Sequence, residues 1–200
     1  MIRRALRVGS SCWLLVALAM ARADAGPLTE MLKARQAKLD AVLARYPAEL
    51  PASAKEELQH ALGEVLDFEE MASGALGEEW NRRSEAERKE FAAAFAALLR
   101  ANSIRSAEQY RVDSVEYLAE TIVGAGGTVK TSVRARHTTT AIEYRFRVVQ
   151  GSWWVVDYSV DGVWAVRSYR SQFARILEKV GWPGLLQRIE KRTAELQAAP

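Results

Sequence analysis

Residues 129–160 read VKTSVRARHTTTAIEYRFRVVQGSWWVVDYSV, and they decide the fold class because apolar and polar side chains alternate along most of this stretch. Alternation of this kind is typical of β-strands that bury one face. The segments 129–136 and 142–148 each predict one such strand, and the dipeptide Gln150-Gly151 predicts a turn before a third. The apolar face of the third strand is predicted to comprise Trp154, Val156, Tyr158 and Val160.

The flanking sequence extends this sheet and adds helices on both sides. A weaker strand around residues 112–118, followed by a glycine-rich hairpin loop at 124–127, predicts a curved antiparallel sheet of about four strands. Apolar residues at helical spacing predict helices over 28–46, 67–76, 166–181 and 185–196. Two further helices are predicted from where they begin: one near Ser53, which is a candidate cap, and one at a capping box formed by Ser84 and Glu87. This order predicts an α+β fold in which helices cover one face of the sheet.

The N-terminus has the pattern of a signal peptide, predicted over residues 1–23. Arg3, Arg4 and Arg7 form a basic region, and the apolar run that follows them is too short to span a bilayer. Small residues predict cleavage after Ala23 or Ala25. An uncleaved anchor is the alternative, whereas a lipoprotein is disfavoured because Cys12 precedes most of the apolar run. Residues 26–196 are predicted to form one domain, followed by a disordered tail at 197–200.

The basic charge of the chain belongs to this N-terminal segment. The formal net charge is +3, but four of the 28 basic residues lie within residues 1–23 and none of the 25 acidic residues does. The remaining chain, with 24 basic residues against 25 acidic ones, is nearly neutral and gives no reason to expect nucleic acid as a partner. The only cysteine of the full sequence, Cys12, lies in the predicted signal peptide and is removed with it, so we expect no disulfide to stabilise the domain.

The sequence contains few residues that could perform chemistry. There are only two histidines, and no spacing of His, Cys or carboxylates predicts a metal or cofactor site. Asp161 stands in an Asp-Gly turn, which explains it structurally. The remaining enzyme hypothesis is a cone-shaped α+β enzyme that uses Asp157 or His137 as a base, and it requires one of these side chains to face a pocket.

The interior of the predicted fold has two interpretations. Large apolar and aromatic side chains from the sheet and the helices converge there, and they either fill a compact core or line a lipid-sized pocket. Periodicity does not separate these alternatives. A basic face is also predicted on the hairpin, and it comprises Lys130, Arg134, Arg136, Arg145 and Arg147.

Ordered motifs add a family resemblance. The segments 157–163 (DYSVDGV), 168–173 (SYRSQF) and 181–186 (GWPGLL) resemble the C-terminal signature of the MlaC, or toluene-tolerance, family. The segments 67–72, 76–80 and 91–99 are similar to the helical half of the same family. The resemblance extends over residues 28–196.

This resemblance implies a periplasmic carrier rather than an enzyme. It implies a monomer without a cofactor that holds the acyl chains of a phospholipid in an apolar pocket. It also implies exchange of that lipid with an inner-membrane ABC-type transport complex and an outer-membrane lipoprotein complex. The side chains expected to line the pocket are Phe95, Leu99, Ile142, Tyr144, Phe146, Val148, Trp154, Val156, Tyr158, Tyr169, Phe173 and Ile176.

Two positions depart from the family pattern and leave the cargo open. Trp164 stands where the family usually has a serine, and the Asn102-Ser103 region replaces a common tyrosine. Both changes are expected to alter the pocket or its lip, so another lipid such as a hopanoid is an alternative cargo. A scaffold domain with a filled core is the third class of function, and it predicts a pocket smaller than about 300 Å³.

Overall fold

The computed structural model describes residues 26–46, 50–109 and 112–198. The predicted signal peptide and its cleavage sites lie outside these residues. Within them the chain forms six helices and five strands. The elements are α1 (Pro27–Arg45), α2 (Ala52–Gly63), α3 (Phe68–Leu76), α4 (Glu78–Arg82), α5 (Glu85–Gln109), β1 (Ser114–Val123), β2 (Gly126–Ala135), β3 (Thr138–Val149), β4 (Ser152–Val160), β5 (Val163–Trp164) and α6 (Ala165–Ala198).

The five strands form one open antiparallel sheet in the order β1-β2-β3-β4-β5. The predicted α+β class is therefore confirmed, with a fifth strand of two residues that the sequence did not indicate. Part of the free edge of β4 is covered by the segment before α3, because the amide of Val155 donates to Val65 and the amide of Asp67 donates to Val155.

Two β-bulges, one in β1 and one in β4, reverse the alternation of side chains along these strands. In β1 the register shifts between Tyr117 and Ala119, so Glu120 rather than Ala119 faces the helices. Glu120 accepts hydrogen bonds from the amides of Leu28 (3.3 Å) and Thr29 (2.8 Å), and its carboxylate thereby stabilises the N-terminus of α1. The second bulge lies in β4 at Val156, opposite Arg145 and Phe146.

The helices begin and end at local signals, most of which the sequence predicts. Ser84 and Glu87 form the predicted capping box, with the amide of Ser84 donating to Glu87 at 2.8 Å. Ser53 does not cap α2, because the N-cap residue is Pro51, which has no side-chain hydrogen bond. Gly181 has φ 67° and interrupts α6, which accounts for the two separate helices predicted there.

The C-terminal helix is longer than the sequence predicts. It includes Gln197 and Ala198, whereas the sequence predicts a disordered tail from residue 197. None of the helices in the described residues combines the length and apolarity needed to cross a bilayer.

Two clusters of buried side chains connect the helices. The main cluster packs α3, the N-terminal half of α5 and α6 against β3 and β4, around residues such as Phe91, Phe95 and Phe146. A smaller cluster packs α1 against α2 and the C-terminal half of α5, around Leu58 and Ile104. The sheet beneath this second cluster is not fully covered, which creates the site described next.

Candidate functional site

The larger cavity lies between the inner face of the sheet and α1, α2 and α5, and its volume is about 730 Å³. This volume falls within the range of about 300–1,000 Å³ that is usual for ligand sites, and it exceeds what a filled-core scaffold predicts. The wall comprises Leu32, Arg35, Gln36, Leu39, Leu43, Leu58, Leu62, Leu66, Asn102, Ser103, Ile104, Ser106, Ala107, Val112, Val115, Tyr117, Thr131, Val133, Ala135, Thr138, Thr140, Ile142, Tyr144, Tyr158 and Val160.

The cavity exists because small side chains face each other across it. The sheet contributes Val133, Ala135 and Thr138 at this end, and α5 contributes Ser103 and Ala107. None of these side chains is long enough to fill the gap between a sheet and a helix, which elsewhere in this protein is filled by phenylalanine rings. The hollow is therefore a consequence of residue size along the two elements.

The cavity opens at one end of the sheet. Val112, just before β1, and Val160, at the end of β4, are 40% and 42% exposed although both line the cavity. Ala135 and Thr138 border the β2–β3 turn at the same end. A ligand therefore has direct access to the apolar wall from solvent.

A smaller cavity of about 430 Å³ adjoins the larger one, between β4, β5, α5 and α6. Asn102, Tyr158 and Val160 line both cavities. The side-chain amide of Asn102 donates to the hydroxyl of Tyr169 at 3.0 Å. This hydrogen bond joins α5 to α6 at the boundary between the two cavities.

Six of the twelve side chains predicted to line the pocket do line a cavity. Ile142, Tyr144 and Tyr158 line the larger one, and Tyr158, Tyr169, Phe173 and Ile176 line the smaller one.

Three others fill the core instead. Phe95, Leu99 and Phe146 have exposures of 0%, 1% and 3% and belong to the main cluster. The ring of Phe95 lies edge-on to those of Tyr169 and Phe173, with centroids 4.9 and 5.5 Å apart. This packing places Phe95 in the core, and it lines neither of the two cavities.

The last three predicted positions, Val148, Trp154 and Val156, line neither cavity. Trp154 pairs with Arg147 and lies on the outer face of the sheet, and it is Trp153 that packs against the core. The bulge at Val156 is the physical reason. It adds one residue to β4, so the side chains before it lie on the face opposite to the one that strict alternation from Tyr158 predicts.

Several tyrosines give the cavity walls a polar component. Burial raises the pKa of Tyr144 and of Tyr158, and it raises the pKa of Tyr117 to about 12. These phenols are therefore neutral at physiological pH and present hydroxyl groups to an otherwise apolar surface.

Among the described residues that line the larger cavity, Arg35 is the one with a charged side chain. Its guanidinium Nε is buried and finds no hydrogen-bond acceptor among the residues that the structure describes. Burial lowers the pKa of Arg35, and the electrostatic interactions of Arg35 with Tyr144 and with Glu64 act in the opposite direction.

Neither candidate base of the enzyme hypothesis faces a cavity. Asp157 lies on the face of β4 opposite Tyr158, and it accepts hydrogen bonds from the amides of Tyr158 (2.8 Å) and Val166 (3.1 Å) at the start of α6. Burial raises the pKa of Asp157, while these two amides oppose that rise. His137 lies exposed in the β2–β3 turn. The structure therefore gives both residues positions outside the cavities.

The predicted basic face is divided into residues with different surroundings. Lys130 pairs across the strands with Glu143, Arg147 forms an ion pair with Glu70, and Arg145 lies 3.9 Å from Asp157. Arg134 and Arg136 lie instead beside the β2–β3 turn, at the end of the sheet where the larger cavity opens.

Trp164 does not line either cavity, contrary to the expectation from the sequence. The guanidinium carbon of Arg145 lies 3.4 Å from the centroid of its ring. The indole and the guanidinium form a cation–π contact on the outer face of the sheet. Trp164 therefore affects the surface of the sheet and not the volume of the pocket.

The comparison with protein families agrees with this geometry. The family model described as MlaC protein matches residues 33–191. The chain belongs to the MlaC family. The match extends from α1 to the last segment of α6 and confirms the resemblance inferred from the sequence motifs.

A solved structure has the same fold as this MlaC-family chain. It is that of the phospholipid-binding protein from Ralstonia solanacearum in complex with a phospholipid. The TM-score is 0.74 at 21% sequence identity, and the alignment covers 84% of this chain and 97% of that chain. A comparison with curated proteins finds no match.

Sequence reasoning named the Asn102-Ser103 region as a change in the pocket or its lip, but it missed Ser106 and Ala107 of α5 and all of the α1 wall of this MlaC fold. Asn102 and Ser106, like Ser103 and Ala107, lie four positions apart on one side of a helix whose earlier turns carry phenylalanines. That change from large to small side chains is a signal for a hollow. The sequence interpretation selected large aromatic residues as pocket lining, although large residues more often fill space.

Proposed function

We propose that this protein is a periplasmic carrier that encloses the acyl chains of a phospholipid in the larger cavity. The observation that supports this most strongly is the 730 Å³ cavity with its mainly apolar wall. Membership of the MlaC family and the fold shared with a phospholipid-bound protein support the same ligand class.

The physical reason for such a cavity is the cost of moving an acyl chain through water. Each buried methylene group contributes about 0.8 kcal/mol relative to water, so a carrier needs a continuous apolar surface that the chain can occupy. Leucines of α1 and α2 face valines and an isoleucine of the sheet across the cavity and provide this surface. No bond of the lipid has to be made or broken, so the protein is proposed to act without a chemical step or a cofactor.

Transport between membranes is the proposed role of this binding. The carrier acts as a monomer and exchanges its lipid with an inner-membrane ABC-type complex and with an outer-membrane lipoprotein complex. The N-terminal signal-peptide pattern and the family support export to the periplasm.

Lipid extraction tests the proposal. The protein is purified from its host, and copurified lipids are identified by mass spectrometry. The delipidated protein is then incubated with phospholipid vesicles and separated from them. We expect about one phospholipid molecule per chain in both samples. If the first sample contained a hopanoid or sterol-like lipid, that lipid and not a phospholipid would be the cargo. The absence of any lipid from both samples would refute the carrier function.

A further inference from the structure

Arg35 lies at a position of α1 where the helical pattern of the sequence otherwise has apolar residues. The apolar residues in this series are Leu28, Leu32, Leu39 and Val42. With Arg35 between Leu32 and Leu39, the five positions are separated alternately by four and three residues, so all five lie on one stripe of the helix. The first two leucines and Val42 are buried, and Arg35 is partly buried in the wall of the larger cavity. A positive charge therefore projects from the buried face of α1 rather than from its solvent face.

The described residues do not compensate this charge. The Nε atom of Arg35 is buried without an acceptor, and no carboxylate in the described part of the chain lies within ion-pair distance of its guanidinium. Glu64, whose charge acts on Arg35, already forms a 2.6 Å ion pair with Lys38. An unpaired charge that is partly buried loses part of its hydration, and binding of an anion beside it would offset some of that loss.

A neutral donor accompanies the guanidinium. Tyr144 lines the same cavity from β3, on the wall opposite α1, and the charge of Arg35 acts on its phenol. Its hydroxyl forms no hydrogen bond within the described residues, and it is protonated at neutral pH because the ordinary pKa of a phenol, about 10, is already far higher and burial raises it further. The planar fork of the Arg35 N–H groups matches the oxygens of a phosphate or a carboxylate, and a phenol hydroxyl can donate to the same group.

We propose that Arg35, assisted by Tyr144, binds the anionic oxygens at the polar end of an acyl-chain lipid in the larger cavity, either a phosphate or a carboxylate. This inference rests on the proposed lipid-binding function. It adds that the cavity distinguishes lipids by the charge of the polar group as well as by the chain.

Three lipids that share one palmitoyl chain separate charge recognition from chain burial. Palmitate carries a carboxylate, palmitoyl lysophosphatidylglycerol carries a phosphate, and monopalmitoylglycerol is uncharged. Their dissociation constants are measured by displacement of phenylnaphthylamine, an uncharged fluorescent probe, from the delipidated protein. The variants are Arg35→Met, Arg35→Gln, Arg35→Lys and Tyr144→Phe. Arg45→Met is the matched control, because Arg45 lies on the same helix, is exposed and does not line the cavity.

We expect Arg35→Met and Arg35→Gln to weaken binding of a charged lipid about tenfold or more and to leave monopalmitoylglycerol within about twofold, since a charge-assisted hydrogen bond is lost. Arg35→Lys and Tyr144→Phe are expected to give smaller losses, and Arg45→Met none. A loss confined to palmitate identifies a carboxylate as the ligand group, and a loss confined to the phosphate lipid identifies a phosphate.

Two outcomes overturn the inference while the carrier function stands: equal affinities of wild type and Arg35→Met for all three lipids, or an equal loss for all three. Wild-type protein that binds none of them would contradict the carrier function itself. A second readout is thermal unfolding of the lipid-free protein. Removal of an unpaired charge should leave the Tm of Arg35→Met at or above that of wild type, whereas a purely structural arginine would lower it.

Discussion

The side-chain amide of Asn102 donates a 3.0 Å hydrogen bond to the hydroxyl of Tyr169, and these two residues join α5 to α6 where the two cavities meet. Asn102 is one of the positions at which the sequence departs from the family pattern. The structure shows that the change is paired with a partner on another helix, 67 residues further along the chain.

A double-mutant cycle measures this hydrogen bond. We expect Asn102→Ala and Tyr169→Phe each to lower the free energy of unfolding, with a coupling energy of about 0.5–1.5 kcal/mol between them, because both variants remove the same bond. Urea unfolding of the delipidated wild type, the two single variants and the double variant provides the four values. Additive effects would show that the contact does not stabilise the boundary.

Filling the larger cavity should reduce lipid uptake. Ala107 lines the cavity from α5, so the ring of Ala107→Phe is expected to occupy space that an acyl chain needs. The matched control is Ala93→Phe, which places the same ring on an exposed position of the same helix. Lipid bound after incubation with vesicles should fall at least several-fold for the first variant and stay unchanged for the second. Unchanged uptake by both variants would place the lipid elsewhere.

Phe95 is expected to stabilise the fold without contacting lipid. Its ring is fully buried between Phe91, Tyr169 and Phe173. Phe95→Ala should therefore lower the free energy of unfolding by about 3–5 kcal/mol. Lipid affinity, measured at a temperature where the variant is folded, should stay within about twofold of wild type. A large loss of affinity in folded protein would show that Phe95 is part of the lipid-binding site.

Alkaline pH should lower the free energy of unfolding, in part because the partly buried phenol of Tyr117 ionises. Burial raises the pKa of this phenol from 10.0 to about 12 in the folded protein. A group whose pKa is higher in the folded state stabilises that state below the unfolded pKa, and this contribution is lost as the pH rises from about 10 to about 12. We expect Tyr117→Phe to show a shallower decline of unfolding free energy over this interval. Identical pH dependence in both proteins would contradict the shift.

Trp164→Ser, which introduces the residue usual in the family, should leave lipid binding unchanged. Trp164 contacts Arg145 on the outer face of the sheet and lines neither cavity. Loss of a cation–π contact at the surface costs about 0.5–1 kcal/mol, which urea unfolding can detect. Trp182 also stacks with an arginine, Arg83, but packs against the core. Trp182→Ser is therefore expected to cost more. A change of lipid specificity in Trp164→Ser would contradict its placement.

The sequence by itself determined the elements and their order. Alternation along residues 129–136 and 142–148 marked β2 and β3 to within a few residues, and the capping box of Ser84 and Glu87 marked the start of α5. These features depend on backbone geometry and on neighbours at most four residues away, so a single sequence contains the information needed to infer them.

The tertiary structure alone decided which side chains enclose the cavity. The bulge at Val156 exchanged the faces of Trp153 and Trp154, and no local pattern announces such an extra residue. Whether apolar residues meet or leave a gap depends on the sizes of side chains that face each other from distant segments, such as Ala107 on α5 and Val133 on β2. Arg35 illustrates both levels: helical spacing places it on the buried stripe of α1, but only the fold shows that this stripe faces a cavity where the described residues leave the charge without an ion-pair partner.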